Sequence, residues 1–226
     1  MSDLLKKIYV QHKNFWSKEN KISLLIGAGF FAVAIIIQNI ADRYVLKVGG
    51  TPVSDMLLSR LPTMDVDFFV IQWPLIVTFV TAALILYKPK YLCFCIKALA
   101  VFLIIRSFLI SVTHLGVNPD QLVLDTRVYG FRLFNFLFNT TGDFFFSAHT
   151  GVPFLLALVF WREKIWRYFF LFSSMVMGTS MLLAHIHYSI DVFAAPFMTY
   201  SLFAISKYIF DKDYKISLSD QEISLK

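Results

Sequence analysis

Two short strings hold most of the residues able to do chemistry. Thr141–Gly151 reads TGDFFFSAHTG and carries Asp143, Ser147, His149 and Thr150; Ala184–Val192 reads AHIHYSIDV and carries His185, His187 and Asp191. His187 and Asp191 are four residues apart, so on a helix they share one face, about one turn apart. A carboxylate there accepts a hydrogen bond from one imidazole nitrogen, fixes the tautomer and leaves the other nitrogen free to react. His185 on such a helix points away from His187. Two facing histidines, one held by an acid, suit a nucleophile and a general acid working on a phosphorus atom between them. Two other readings stand beside this one. A single histidine at a helix end is usually an interfacial, hydrogen-bonded residue, and two His with one Asp also form a donor set for iron or zinc.

The elements that must position these residues follow from composition. Of 226 residues, 58% are hydrophobic and 16% charged, and Phe alone occurs 25 times. Ordinary soluble domains carry about 25% charged residues, and a soluble domain of this size could not hide so much apolar surface. Disorder, a collagen repeat and a disulfide scaffold are excluded. Cys93 and Cys95 lie too close together to staple anything and lack the second pair of a zinc site; they read as reduced thiols. The sequence predicts an all-α, six-transmembrane-helix bundle. Its spans are Ile22–Ile40, Phe68–Tyr87, Tyr91–Thr113, Phe144–Trp161, Ile165–Ala184 and Tyr188–Ile209. Residues 1–21 form an N-terminal segment, either a short interfacial helix or a solvated basic tail. Residues 22–210 form the catalytic membrane domain and 211–226 a tail.

Sorting Lys and Arg by loop sets the orientation. The N-terminal segment, the turns after spans two and four and the C-terminal end hold 15 of the 21, against 5 in the two long loops Ala41–Asp67 and His114–Asp143. The positive-inside rule then places both termini in the cytoplasm and the long loops outside it. The net charge of +6 is mostly this orientation signal and gives no reason to invoke nucleic acid. Span four begins and span five ends on the non-cytoplasmic side, which brings His149 and His187 to the same depth in adjacent helices. A transferring phosphoryl group needs cations. Arg106, isolated in span three, is the leading candidate, with Arg127 and Arg132 of the second loop behind it. Asp143 either caps span four or assists His149.

The two strings resemble the active-site motifs of the type 2 phosphatidic acid phosphatase superfamily. They are most similar to its sphingomyelin synthase branch, which carries C-G-D-x-x-x-S-G-H-T and A-H-E-H-Y-T-x-D-V where this chain has T-G-D-F-F-F-S-A-H-T and A-H-I-H-Y-S-I-D-V. The phosphatase branch instead has K-x6-R-P, P-S-G-H and S-R-x5-H-x3-D. Its first pattern is missing here, and Ser180-Met181 stands where its arginine would be. Within the synthase pattern, Ala148 replaces a glycine and Ile186 replaces a glutamate. The resemblance implies phosphoryl transfer through a phosphohistidine, with membrane lipids as substrates and no cofactor or metal. It implies His187 as nucleophile, Asp191 as its orienting acid, His149 as the acid that protonates the leaving alcohol, and Ser147 as a hydroxyl on the phosphate at a helix start. The expected activity is a lipid head-group phosphotransferase of an integral, multi-pass membrane protein, with its site on the periplasmic or lumenal side. A lipid phosphate phosphatase acting on phosphatidic acid or polyprenyl pyrophosphate, and a non-enzymatic membrane protein, are the alternatives.

Overall fold

The computed structural model describes residues 3–138 and 145–219. They are helical throughout: α1 (Asp3–Phe15), α2 (Lys18–Val48), α3 (Trp73–Tyr87, entered through a π-turn at Phe68–Gln72), α4 (Leu92–Thr113), α5 (Phe131–Phe138), α6 (Ala148–Val159), α7 (Lys164–Leu183), α8 (Ser189–Ile209) and α9 (Asp211–Leu218). The described residues include no β-strand; a single bridge, Thr51 to Leu115, ties the two long loops together. Four stretches are long and apolar enough to cross a membrane: Lys18–Val48, Phe68–Tyr87, Pro89–Thr113 and Ser189–Ile209. The other two expected spans differ from them. Helix α6 has 12 residues and α7 has 20; α6 is too short to cross alone, and α7, with Lys164, Arg167, Ser173 and Ser174 among its residues, is less apolar. Exposed Leu25, Ile26, Val33 and Ile36 on α2 and Phe193, Phe197 and Tyr200 on α8 are the pattern of a helix surface facing lipid.

Local chemistry explains the boundaries. The Ser17 hydroxyl accepts the Asn20 N–H at 3.2 Å and starts α2. The helix then runs on to Val48 instead of stopping at Ile40, because Ala41 and Val45 remain buried and pack on Ile110 of α4. It ends at Gly49, whose φ of 66° favours glycine and whose N–H returns to the Val45 carbonyl. At 31 residues, α2 is about 46 Å long, well beyond the hydrocarbon thickness of about 30 Å.

The two ends of the bundle are built differently. At one end α1 is a helix and not a loose tail: Phe15 is fully buried, Trp16 Nε1 donates to His12 Nδ1 at 3.1 Å, and His12 Nε2 meets the Leu86 carbonyl at 2.7 Å. The expected tail also holds a helix, α9, folded back onto α2 and α4. Lys97 Nζ, deep in α4, donates to Asp213 Oδ2 of α9 at 2.5 Å and to Ser23 Oγ of α2 at 2.8 Å, while Ser23 donates to Asp213 Oδ1 at 2.6 Å. A lysine inside an apolar run is expensive alone; α9 supplies its counter-charge. At the other end the long loops cover the α7–α8 junction, with Met64 N–H on the Leu183 carbonyl and Leu122 N–H on that of Ala184.

Between the ends, aromatic rings fill the interior. Tyr91 meets Phe160 at 4.7 Å between centroids, Phe160 stacks on Phe170 at 5.6 Å, and Phe94 meets Phe203 at 5.9 Å. Cys93 and Cys95 are free thiols, both buried.

Replacing Lys97 by Ala strands the Asp213 carboxylate in a site only 8% accessible. The expected loss is about 3–5 kcal/mol, read as a fall in the thermal unfolding midpoint in detergent. K97M/D213L, which removes both charges and keeps the volume, should recover most of that stability.

Candidate active site

Three helix ends converge under the loops. The chain approaches α6 through Phe145 (φ 121°) and Phe146 (φ 25°), both in backbone regions that side chains disfavour. Arg106 Nε of α4 donates to the Phe146 carbonyl at 3.1 Å and holds that turn. The next residue, Ser147, donates its N–H to the Asp191 carbonyl in the first turn of α8 at 3.0 Å. The start of α6 is thereby pinned to the start of α8.

His187 lies outside the helix that sequence spacing suggested. Residues 184–187 form a tight turn closing α7, with the N–H groups of Ile186 and His187 on the Met181 carbonyl at 3.0 and 3.4 Å. Helix α8 begins only at Ser189. His187 Nδ1 still reaches Asp191 Oδ2, at 3.4 Å, and the same oxygen accepts the Tyr188 N–H at 3.0 Å. Because the turn is not helical, no helix face separates His185 from His187. His185 adopts φ 54°, is buried, and neither ring nitrogen has a partner among the described residues.

His149 sits in the first turn of α6, two residues after Ser147, its ring centroid 6.0 Å from that of Phe134 in α5. Phe134 belongs to the same buried cluster as Tyr188 and Val192 of the α8 start, so both histidine strings border one apolar core. Ser147 is the N-cap of α6 but its hydroxyl caps no amide, and the hydroxyl has no partner among the described residues; nor do Asp191 Oδ1 and Thr150 Oγ1. Exposures are 0% for Ser147 and Asp191, 1% for Arg106, 4% for His187 and 9% for His149, so each of these polar side chains is buried. An uncapped helix N-terminus beside an unpartnered hydroxyl and a buried guanidinium has the chemistry of a phosphate cradle.

The other sequence candidates lie elsewhere. Arg127 is 89% exposed and donates to Asp125 at 3.0 and 3.2 Å; this pairing holds the Asp125 carboxyl below its ordinary range. Arg132 is exposed on α5, the helix whose Phe134 packs on His149. Asp143 lies outside the described residues. No three of His, Cys, Asp and Glu among the described residues gather closely enough to hold a metal ion.

With that geometry in place, comparison with known families becomes informative. Residues 140–208 match the family model described as PAP2 superfamily C-terminal. The match supports the type 2 phosphatidic acid phosphatase superfamily. It spans α6, α7 and nearly all of α8, and so both histidine strings, in an all-helical chain with several membrane-length helices. Superfamily members are lipid phosphatases or phosphotransferases, and the match extends to that level and not to a branch. No curated protein and no solved structure matches the chain.

Sequence reasoning missed Asp55, Tyr188 and Phe134. Asp55 had a signal, an Asp just ahead of a short apolar turn, as at a helix cap. Phe134 was one of many phenylalanines, and nothing in its spacing marks it.

Close helix approach is what holds the three ends together. A Cβ on Gly151 of α6 would lie 2.8 Å from two ring carbons of Phe102 and 2.9 Å from Thr199 Oγ1. Gly151→Ala should therefore cost about 1–3 kcal/mol by thermal unfolding. Gly29→Ala, where a Cβ meets nothing within 4 Å, should leave stability unchanged or raise it by up to about 1 kcal/mol.

Proposed function

We propose that this chain is a lipid phosphotransferase of the sphingomyelin synthase-like kind, moving a phospho-head group between lipids through a phosphohistidine. His187 attacks phosphorus through Nε2, Asp191 holds Nδ1 and stabilises the imidazolium, and the lipid alkoxide leaves with a proton from His149. A second lipid hydroxyl then gives its proton to His149 and attacks the phosphohistidine, which restores both imidazoles. Arg106 and the Ser147 hydroxyl, with the first amides of α6, carry the charge on the phosphoryl oxygens. Arg127, Arg132 and Asp143 are reserve candidates for binding or assistance.

What favours transfer over hydrolysis is the sequence of the site: Ser180-Met181 stands where the phosphatase branch carries its arginine, and the K-x6-R-P pattern of that branch is missing. The distribution of Lys and Arg supports cytoplasmic termini and a reaction on the periplasmic or lumenal side. Membrane lipids are the substrates this reading requires.

The decisive assay uses the purified chain in mixed micelles with a phospholipid labelled in its phosphate and either diacylglycerol or ceramide as acceptor. Label should move to the acceptor. His187→Ala should abolish transfer, since no phosphohistidine can form, His149→Ala should lower the rate by about 10²–10⁴, and Asp191→Asn by on the order of 10² through loss of orientation. EDTA should change nothing, since the two imidazoles do the work attributed elsewhere to metal. Label recovered only as inorganic phosphate or phospho-alcohol makes the chain a phosphatase, and no turnover with any of these lipids removes the enzymatic reading.

A further inference from the structure

The first long loop does more than cover the site. Asp55 uses both carboxylate oxygens. Oδ1 accepts the N–H groups of Leu57 and Leu58 at 2.9 and 3.1 Å, and Oδ2 accepts the Ser189 N–H at 2.7 Å and the Ser189 hydroxyl at 2.8 Å. The Ser189 amide opens α8 and has no partner within its own helix. A side chain from 134 residues away supplies one.

Tyr188, the next residue back, is held at three points. Its phenol donates to the Gly116 carbonyl of the second loop at 3.0 Å and accepts the Val53 N–H of the first at 3.3 Å, while its own N–H goes to Asp191 Oδ2. The loops are joined beside it, with Gly116 N–H on the Thr51 carbonyl at 3.1 Å. Asp191 Oδ2 is therefore shared between the Tyr188 amide and His187 Nδ1. The second of these contacts, at 3.4 Å, is long for a hydrogen bond. A small movement of Tyr188 decides whether the carboxylate reaches the imidazole.

We infer that Asp55 is a positioning residue for the proposed nucleophile: by fixing the first turn of α8 it sets Tyr188, through Tyr188 the Asp191 carboxylate, and through that carboxylate the orientation and tautomer of His187. The inference rests on the function proposed above. Burial pushes the Asp55 carboxyl up, but the four hydrogen bonds from Ser189, Leu58 and Leu57 outweigh it and hold the group below its ordinary range. It is thus an ionised acceptor at neutral pH, placed where the N-terminal helix dipole favours negative charge.

The test uses the full chain in micelles, the labelled-phospholipid transfer assay, and ¹⁵N-histidine NMR with the His187 signal identified by its loss in H187A. Asp55→Ala should shift the His187 ring nitrogens toward a mixed tautomer and lower kcat by roughly tenfold to a hundredfold, as for small misplacements of reacting groups, with KM nearly constant. Asp55→Asn, which keeps one accepting oxygen, should recover part of both. Asp65→Ala, an exposed acid in the same loop, should move neither. If Asp55→Ala fails to fold, Asp55→Asn and Tyr188→Phe carry the same two readouts. His187 shifts identical to wild type in folded variants overturn the inference, as does a rate loss that only follows the unfolded fraction. Should the wild type transfer no label, the proposed function falls while the NMR arm still decides the role of Asp55.

Discussion

The bond from the Ser147 N–H to the Asp191 carbonyl, at 3.0 Å, is the constraint on which the site depends. It joins the first turns of two helices whose motif residues are some forty positions apart in sequence. With it in place, the Ser147 hydroxyl, the open amides of α6 and the His187–Asp191 pair occupy one volume. It also orients the α6 start, since Arg106 grips the preceding carbonyl and the strained Phe145–Phe146 turn has nowhere to relax. Strain of this kind persists only where surrounding contacts over-determine it, and here the surroundings are Arg106 on one side and α8 on the other.

That closeness is made by residues that give up volume. In lipid, helix association relies on packing and hydrogen bonds, because apolar burial offers little drive. Gly151 lets α6 lie against Phe102 and Thr199, and Gly178 lets α7 take the Thr150 side chain. Ser174 Oγ donates to the Thr150 carbonyl at 2.7 Å across the same seam. Phe102 in turn packs on Phe146 at 5.3 Å, which links the seam back to the turn that Arg106 holds. The interior below the site is aromatic, with Phe94, Phe102, Phe160 and Phe170 all buried.

Much of this was legible in the chain before any coordinates. His149, His187, Asp191, Ser147 and Arg106 stand out because polar residues are costly in apolar runs, and each is buried. The all-helical plan was likewise written in hydropathy, which gave six spans where four of the described helices are long and apolar enough to cross. What was not legible came from contacts distant in sequence. Lys97 looked anomalous inside span three until α9 folded back to meet it. Asp55 had the local signature of a turn cap, but only the fold brings it to Ser189. The i, i+4 rule paired His187 with Asp191 correctly for the wrong geometry: a helix cap, with Asp191 reaching back over Tyr188, places the same residues together. For the same reason His185 was set aside on a helical face that does not exist.

The unused polar capacity is the strongest physical argument that this end of the bundle is a working site. Buried polar groups in native proteins are almost all hydrogen-bonded, and each exception costs about 1–3 kcal/mol. Ser147 Oγ, Asp191 Oδ1 and both His185 nitrogens lack partners among the described residues and lie within the two histidine strings; Gln11, Gln72, His114, Gln121 and Thr199 each leave one buried atom unpartnered outside them. At the opposite end Lys97, Ser23 and Asp213 satisfy one another. On the function proposed above, a phosphate ester would meet the open Ser147 hydroxyl and the first amides of α6, and a leaving or attacking lipid hydroxyl would exchange its proton with an imidazole.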